Sequence, residues 1–416
     1  MPNAPLKLPS TLDCITCGLC IPACPTWQIT GRESQSPRGR VHLIRAHEEG
    51  RLPFDADLVE ELQDCLVCRR CESVCPAGVS FGGLMEATRE SANAEGFTLP
   101  LKVRLLLGQL NKPKRLSLGM GGVRLLQRLG LAKFMEPAVA SLPPIPNSEQ
   151  RQSLPEWSRA EGTKKGEVWI LEGCVMPELF GRVNRAAVRL LQKAGFDVRA
   201  PKPRLCCGAM HSHGGEGATS RDFAREWIDL ADQLGWPSAV ISTSAGCGAH
   251  MHEFDRVLSG DADYAERAVR FADLVQDASV FLRGDGIFES LSTDMHAIPM
   301  EFQPIAYDDP CHLCHAQGVR EQPRNLIDAI PDLVRVNLQD PEACCGSAGL
   351  YSVMHPEESQ ELFKGKLQDF ESSGARTLVT ANPGCQMQWM GGIQEPQRAL
   401  HLIELLALSI EGQLPT

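Results

Sequence analysis

The sequence predicts a multidomain α+β and α/β protein: a largely helical N-terminal unit, then two copies of one small parallel α/β unit. Three observations carry that prediction. One cysteine pattern, C-x2-C-x2-C-x3-C-P, is written twice before residue 80. A second pattern, a lone cysteine, then Cys-Cys-Gly, then another lone cysteine, is written twice after residue 170. Short apolar runs alternate with helix-period segments through both later copies, as strands and helices of a layered sheet do. The chain divides accordingly into residues 1–96, 97–166, 167–300 and 301–416.

In the first unit, Cys14, Cys17, Cys20 and Cys24-Pro25 precede Cys65, Cys68, Cys71 and Cys75-Pro76. This spacing is the cubane iron–sulfur signature, in which the fourth cysteine of each run ligates the other cluster. Three cysteines on a tight loop grip one face of a cube, and the fourth points back across the unit. Cys14, Cys17, Cys20 and Cys75 are therefore expected to hold one [4Fe–4S] cluster, and Cys65, Cys68, Cys71 and Cys24 the other. Gly18 and Gly78 leave room for backbone beside cluster sulfide. Zinc also takes four thiolates, but its sites pair two C-x2-C knuckles. The segments 37–50 and 82–96 read as helices, the first starting after Gly39 and the second ending at Gly96.

Residues 97–166 change character. From Leu101 to Lys133 there are eight Lys/Arg and no Asp or Glu, interleaved with leucines. Gly and Pro at 108, 113 and 119–122 divide the stretch into two short amphipathic helices. Such a pair suits a solvated basic face over packed leucines, an anionic lipid surface or an acidic partner. GMGG at 119–122 follows no strand and has Arg124 in place of a third glycine, so it is not a dinucleotide fingerprint. Residues 141–166, rich in Pro, Ser and charge, read as a linker.

The remainder is a duplication. Cys174, Cys206-Cys207-Gly208 and Cys247 recur as Cys311, Cys344-Cys345-Gly346 and Cys385, at offsets of 137, 138 and 138 residues. Spacing kept this closely means two copies of one structural unit. VWIL (168–171), AVIS (239–242), IAY (305–307) and TLVT (377–380) are the predicted strands. The cysteines follow them, at the carboxyl edge where parallel sheets gather ligands. Neighbouring thiols can meet one metal centre only in a bent loop, which Gly208 and Gly346 permit. Cys311, Cys344, Cys345 and Cys385 form a candidate third cluster site. Cys174, Cys206, Cys207 and Cys247 rank below them, and buried free thiols are the alternative for both. Cys314 has no counterpart, because Pro177 stands at that place. His211, His213, His250, His252, His312 and His315 crowd these loops without an individual role legible from spacing.

Seventeen cysteines, an odd count in tight clusters, argue for metal rather than a disulfide framework. A formal net charge of −11 argues against nucleic acid as a partner. The first fourteen residues contain no apolar core of signal-peptide length, and no run approaches the roughly 18 apolar residues of a membrane span. The expected location is therefore cytoplasmic, with any membrane contact peripheral. Neither a P-loop nor a Ser-His-Asp set is recoverable, so no catalytic residue is assigned.

Taken together, CITCGLCIPACPT (14–26), SPRGRVHLI (36–44), CLVCRRCESVCPAGV (65–79), LEGC (171–174), CCGA (206–209), TSAGCGA (243–249), CCGSAGLY (344–351) and TANPGCQ (380–386) resemble the glycolate oxidase iron–sulfur subunits. The resemblance implies a non-catalytic electron-transfer subunit of an oxidoreductase complex. Partner subunits holding FAD would oxidise glycolate to glyoxylate, and this chain would pass electrons to a membrane quinone or another acceptor at the cytoplasmic face of the inner membrane. The iron–sulfur subunit of anaerobic glycerol-3-phosphate dehydrogenase, lactate-utilisation proteins and heterodisulfide reductase-like proteins share parts of the pattern. The last close each repeat with C-x2-C, where this chain has His250 and Gln388. That departure weighs against disulfide reduction. A self-contained thiol or quinone reductase and a metal-free scaffold are the rival classes.

Overall fold

The computed structural model describes residues 9–131, 134, 139 and 142–415. The chain before Pro9, and Lys133 of the basic stretch, lie outside them.

Helices build the N-terminal unit: α1 (Pro25–Thr30), α2 (Pro37–Glu48), α3 (Ala56–Gln63), α4 (Arg70–Ser73) and α5 (Phe81–Ala94). α2 begins two residues before Gly39, because Ser36 caps it by accepting from the Gly39 N–H (2.9 Å) and Pro37 suits the first turn. α5 ends at Ala94, just short of Gly96. Val41, Ile44, Leu58, Leu62, Leu84 and Met85 form the core of this unit, against which the cysteine loops are laid.

α6 (Leu101–Leu110) and α7 (Pro113–Arg128) follow. The glycines at 119–122 do not break α7. Each costs about 1 kcal/mol relative to alanine, and the packing of Met120 and Val123 on the core of the repeats offsets that. Nor is 141–166 a free linker. Ile145 and Leu154 are buried in that core, and β1 (Trp157–Ser158) pairs antiparallel with β3 (Phe196–Arg199). The guanidinium groups of Arg159 and Arg199 lie over the Trp157 ring, 5.1 and 4.7 Å from its centroid.

The remaining strands are β2 (Gly166–Ile170), β4 (Val240–Ser242) and β5 (Val275–Asp277) in the first repeat, and β6 (Ile305–Asp308), β7 (Arg335–Val336), β8 (Thr377–Thr380) and β9 (Arg398–His401) in the second. The first sheet runs β1-β3-β2-β4-β5 and the second β7-β6-β8-β9. Apart from the added β1, all pairs are parallel and the two orders are the same. Both repeats therefore place their first strand centrally, with the second and third on either side. The carboxyl ends of three adjacent strands open on one crevice, where connections diverge and ligands bind in such sheets. The two sheets share one apolar core, to which Val168, Ile170, Ile305, Val379 and Leu400 all belong. The helix Leu402–Glu411 packs back onto Gly181–Lys193 of the first repeat, tied by Arg189–Glu411 at 2.7 Å.

Candidate iron–sulfur and cysteine centres

The two N-terminal cysteine runs fold alike. Thr16 and Val67 occupy the same place in each run, as do Gly18 and Arg69, and all four have φ between +54° and +82°. Left-handed residues at these two places curl the loop so that its three thiols converge. At Gly18 the φ of +82° favours glycine, while the nearest atom an added Cβ would meet, Arg38 Nη1 at 2.9 Å, is the movable end of a side chain. At the equivalent place the second run strains a non-glycine residue, and ion pairs of Arg69 with Glu72 and with Glu253 of the first repeat hold it.

Cys14, Cys17, Cys20 and Cys75 line one small cavity. Cys24, Cys65, Cys68 and Cys71 line another. These are the crossed sets expected from the spacing. The first, the outer set, lies near the surface: Cys17 is exposed, and Leu12 and Ile15 beside it are 75% and 63% exposed. The second, the inner set, is buried throughout. Burial pushes the Cys68 and Cys71 thiols well above the ordinary range. Ionising them requires positive charge, which a metal centre supplies. The protein adds Arg40, fully buried and lining the inner cavity. Its Nη1 donates to the Gln35 carbonyl (2.6 Å) and Thr26 Oγ1 (3.1 Å), while its Nη2 has no protein partner among the described residues. Four converging thiols and an unpaired buried cation fit a [4Fe–4S] cluster, which with four thiolates is anionic.

In each repeat the sheet delivers four thiols to one place. Cys174 follows β2, Cys206-Cys207 follows β3, and Cys247 sits on the helix after β4. Cys311, Cys344-Cys345 and Cys385 stand likewise after β6, β7 and β8. The thiols contact one another in chain order, Cys174 to Cys206 to Cys207 to Cys247 and Cys311 to Cys344 to Cys345 to Cys385. Hydrogen bonds from Cys344 hold Cys311 and Cys345 well below the usual thiol range, and those from Cys174 and Cys207 do the same for Cys206. Gly208 and Gly346 make the bend with φ of +89° and +82°. Cys314 lies beside the second set but outside its order of thiol contacts. Its thiol is driven upward by burial and lies near Asp309, Glu342 and Arg320.

The sets are in contact. Leu66 and Cys68 of the inner set's loop bury themselves with Cys344 and Tyr351, and Cys311 raises the Cys68 thiol electrostatically. The two repeats face each other across Gln317, whose Nε2 donates to the Ala245 carbonyl (3.0 Å) and the His312 carbonyl (3.1 Å). Of the six loop histidines, the structure gathers His213, His250 and His312 around a narrow crevice between the repeats and the N-terminal unit. The His213 ring lies 5.5 Å from His312 and 6.4 Å from His250. His213 Nδ1 is 2.8 Å from Glu86 Oε1, and burial holds His250 down to about 4. His211 bonds toward Cys206, His252 lies by Ala272, and His315 meets Ser73 and Glu342. Sequence reasoning missed Arg40, Arg69, Glu86 and Glu253. Only the repeated left-handed place at Arg69 left a trace, as the one site where the second run departs from glycine.

Comparison with known proteins finds two families along the chain. Residues 10–79 match the family described as 4Fe-4S dicluster domain, and residues 168–252 and 305–389 each match the family described as Cysteine-rich domain. The chain is 32% identical to the probable glycolate oxidase iron-sulfur subunit of Bacillus subtilis, over 95% of this chain and 93% of that protein. It is 31% identical to the glycolate oxidase iron-sulfur subunit of Escherichia coli, over 96% of this chain and 94% of that protein. A lactate utilization protein A of Halalkalibacterium halodurans is 27% identical, over 56% of this chain and 93% of that protein.

Proposed function

The chain belongs to the family of glycolate oxidase iron–sulfur subunits, and from that premise we propose that it carries electrons from FAD-bearing subunits that oxidise glycolate to glyoxylate towards a membrane quinone-type acceptor. One observation carries the proposal: outer and inner cysteines pack in one core cluster, and Cys68 of the inner set packs with Cys344 and Cys311 of repeat two. Bound iron–sulfur clusters would supply one-electron carriers whose potentials depend on hydrogen bonds, charge and exposure. The protein's own part is graded. Leu12, Ile15 and Leu19 form an apolar rim beside the exposed Cys17, suited to docking the flavin partner. Arg40 offsets negative charge at the inner set, and Leu66 and Tyr351 exclude water where that set meets Cys311 and Cys344.

The proposed membrane contact rests on α6 and α7. α6 turns Val103, Leu107 and Leu110 inward and leaves Leu101 and Leu105 outside. α7 buries none of its 16 residues, and Leu118 and Leu129 are 80% and 60% exposed. Leucines interleaved with cations and no acid complement an anionic lipid surface, where each Lys or Arg contributes roughly 1 kcal/mol. No helix among the described residues is long and apolar enough to cross a membrane. A second reading, a self-contained thiol reductase, is favoured by the chain of mutually contacting thiols in each repeat, with Cys206, Cys311 and Cys345 held well below the usual range.

The experiment is anaerobic purification of the full chain, with iron and sulfide analysis and electron paramagnetic resonance after reduction. The proposal expects about eight irons from the crossed sets alone, and no turnover of glycolate until flavin subunits are added. A zinc-loaded, iron-free chain would sink it, and turnover of a disulfide by the chain alone would move the reading to the second. For the membrane contact, neutralising Lys112, Lys114, Arg115 and Arg124 should release the chain from anionic vesicles. Unchanged binding at low salt would remove that part.

A further inference from the structure

We propose that Cys314, His315 and Glu342 form a second kind of metal site, for a divalent cation of the zinc class, where the second repeat meets Ser73 of the N-terminal unit. Each residue offers one ligand atom, and the three atoms lie within 4.8 Å of one another. A tetrahedral ion with metal–sulfur and metal–nitrogen bonds of about 2.3 and 2.0 Å would draw them together by a small contraction.

The histidine is set up to ligate. Its Nε2 lies 3.1 Å from the Glu342 backbone carbonyl, which can only accept, so Nε2 carries the proton and Nδ1 keeps its lone pair. A carbonyl fixing the tautomer from behind is the usual support of a metal-bound imidazole. Nδ1 faces Glu342 Oε2 at 3.7 Å and Ser73 Oγ at 2.9 Å. The carboxylate is divided in a matching way. Arg320 holds Glu342 Oε1 at 2.7 Å, while Oε2, on the histidine side, is the looser oxygen at 3.3 Å. Cys314 is 1% exposed, and among the described residues its sulfur makes only a long contact of 3.9 Å with the Cys311 carbonyl. It stands apart from the contact order of the repeat-two thiols. Ser73 Oγ, or a water held by it, completes four ligands.

The duplication supplies an independent argument. By the offsets that relate Cys174 to Cys311 and Cys206 to Cys344, these three positions correspond to Pro177, Glu178 and Arg204 of the first repeat. There the same juxtaposition is an ion pair, Glu178 with Arg204 at 3.9 Å. All three positions that meet in space differ, and in the second repeat all three are metal-ligating types. An ion held there ties α4, which carries Cys71, to the second repeat, and so clamps the inner set against Cys311.

The test uses the full chain, purified anaerobically with its iron retained, supplied with zinc and exhaustively desalted. Zinc at about one per chain is expected, with an X-ray absorption spectrum showing a single sulfur neighbour among nitrogen and oxygen. Cys314→Ser and His315→Gln should each lower retained zinc at least about tenfold and leave iron unchanged. A wild-type chain that keeps iron but no zinc overturns the proposal. So does zinc bound by several sulfurs, or zinc indifferent to both substitutions. Loss of iron in Cys314→Ser would instead place that thiol in the repeat-two set. Because iron is measured in the same sample, failure of the electron-transfer reading is seen separately.

Discussion

Beneath the four thiols of the second repeat lies a buried ion pair, Asp308 with Lys366 at 2.5 Å, to which Trp389 Nε1 donates at 2.9 Å. Lys366 also donates to the carbonyls of Asp340 and Pro341, both at 3.0 Å, and lowers the Cys345 thiol. Aligning Val168 with Ile305, Gly217 with Pro356 and Ala245 with Pro383, the same three places in the first repeat hold Leu171, Trp227 and Met251, all in one apolar cluster. The sheets and thiol orders match, and the foundations differ. Lys366 favours a thiolate at Cys345 and Asp308 opposes one at Cys385, whereas an apolar floor does neither. The charged repeat is also the one whose thiols touch the inner set. Duplication kept the geometry of a thiol site while electrostatics separated the copies, and the copy whose thiols meet the inner set is the one with a buried cation beneath them.

The widest separation between the copies should appear in iron. Cys385→Ser in the full, anaerobically prepared chain should lower iron content and remove a paramagnetic signal. Cys247→Ser should change both less. Equal losses would make the repeats equivalent, and no loss from either would leave both as free thiols.

Next is the foundation itself. Lys366→Met strands Asp308 in the interior and should cost about 3–5 kcal/mol in urea unfolding at pH 8. The cost should shrink at pH 5, because burial already pushes the Asp308 carboxyl up to about 7 and a protonated acid needs no partner. The double change Asp308→Leu with Lys366→Met, which imitates the apolar floor, should recover most of the loss.

The seam between the copies is sensitive to pH. His401 Nε2 donates to the Thr243 carbonyl (2.9 Å), and its Nδ1 accepts from the Ile403 N–H (3.2 Å). Burial holds this imidazole down to about 4. The folded state thus resists its protonation, so the seam is fully stable above about pH 6.5 and weakens as pH falls towards 4. The loss should reach about 3 kcal/mol, and His401→Gln should flatten that part of the profile.

The smallest difference concerns the bend. Gly208→Ala and Gly346→Ala each place a side chain at left-handed φ, for roughly 1–2 kcal/mol. At Gly346 the new Cβ would also run into the Ser359 backbone oxygen, whereas at Gly208 it meets a movable hydroxyl, Ser220 Oγ, at 2.9 Å. Gly346→Ala should therefore be worse by about 1–3 kcal/mol, read as a shift in unfolding midpoint.

Much of this was legible before any coordinates. Cysteine spacing is set by the reach of a few backbone bonds, so the crossed grouping of Cys14, Cys17, Cys20 and Cys75 against Cys24, Cys65, Cys68 and Cys71 could be written from the sequence. The repeat offsets marked both parallel sheets, because a strand, a turn and a ligand at its carboxyl end are consecutive in the chain. Local reasoning failed where packing overrode propensity. The glycines of α7 stay helical because Met120 and Val123 are anchored, and the supposed linker became β1 because Ile145, Leu154 and Trp157 found distant partners. What only the tertiary structure decided is contact between remote segments: Arg40 beneath the inner set, Cys68 against Cys311, Arg69 with Glu253, and Ser73 beside His315. Charges and thiols far apart in sequence leave no periodic mark, and their energies exist only once folding removes the water between them.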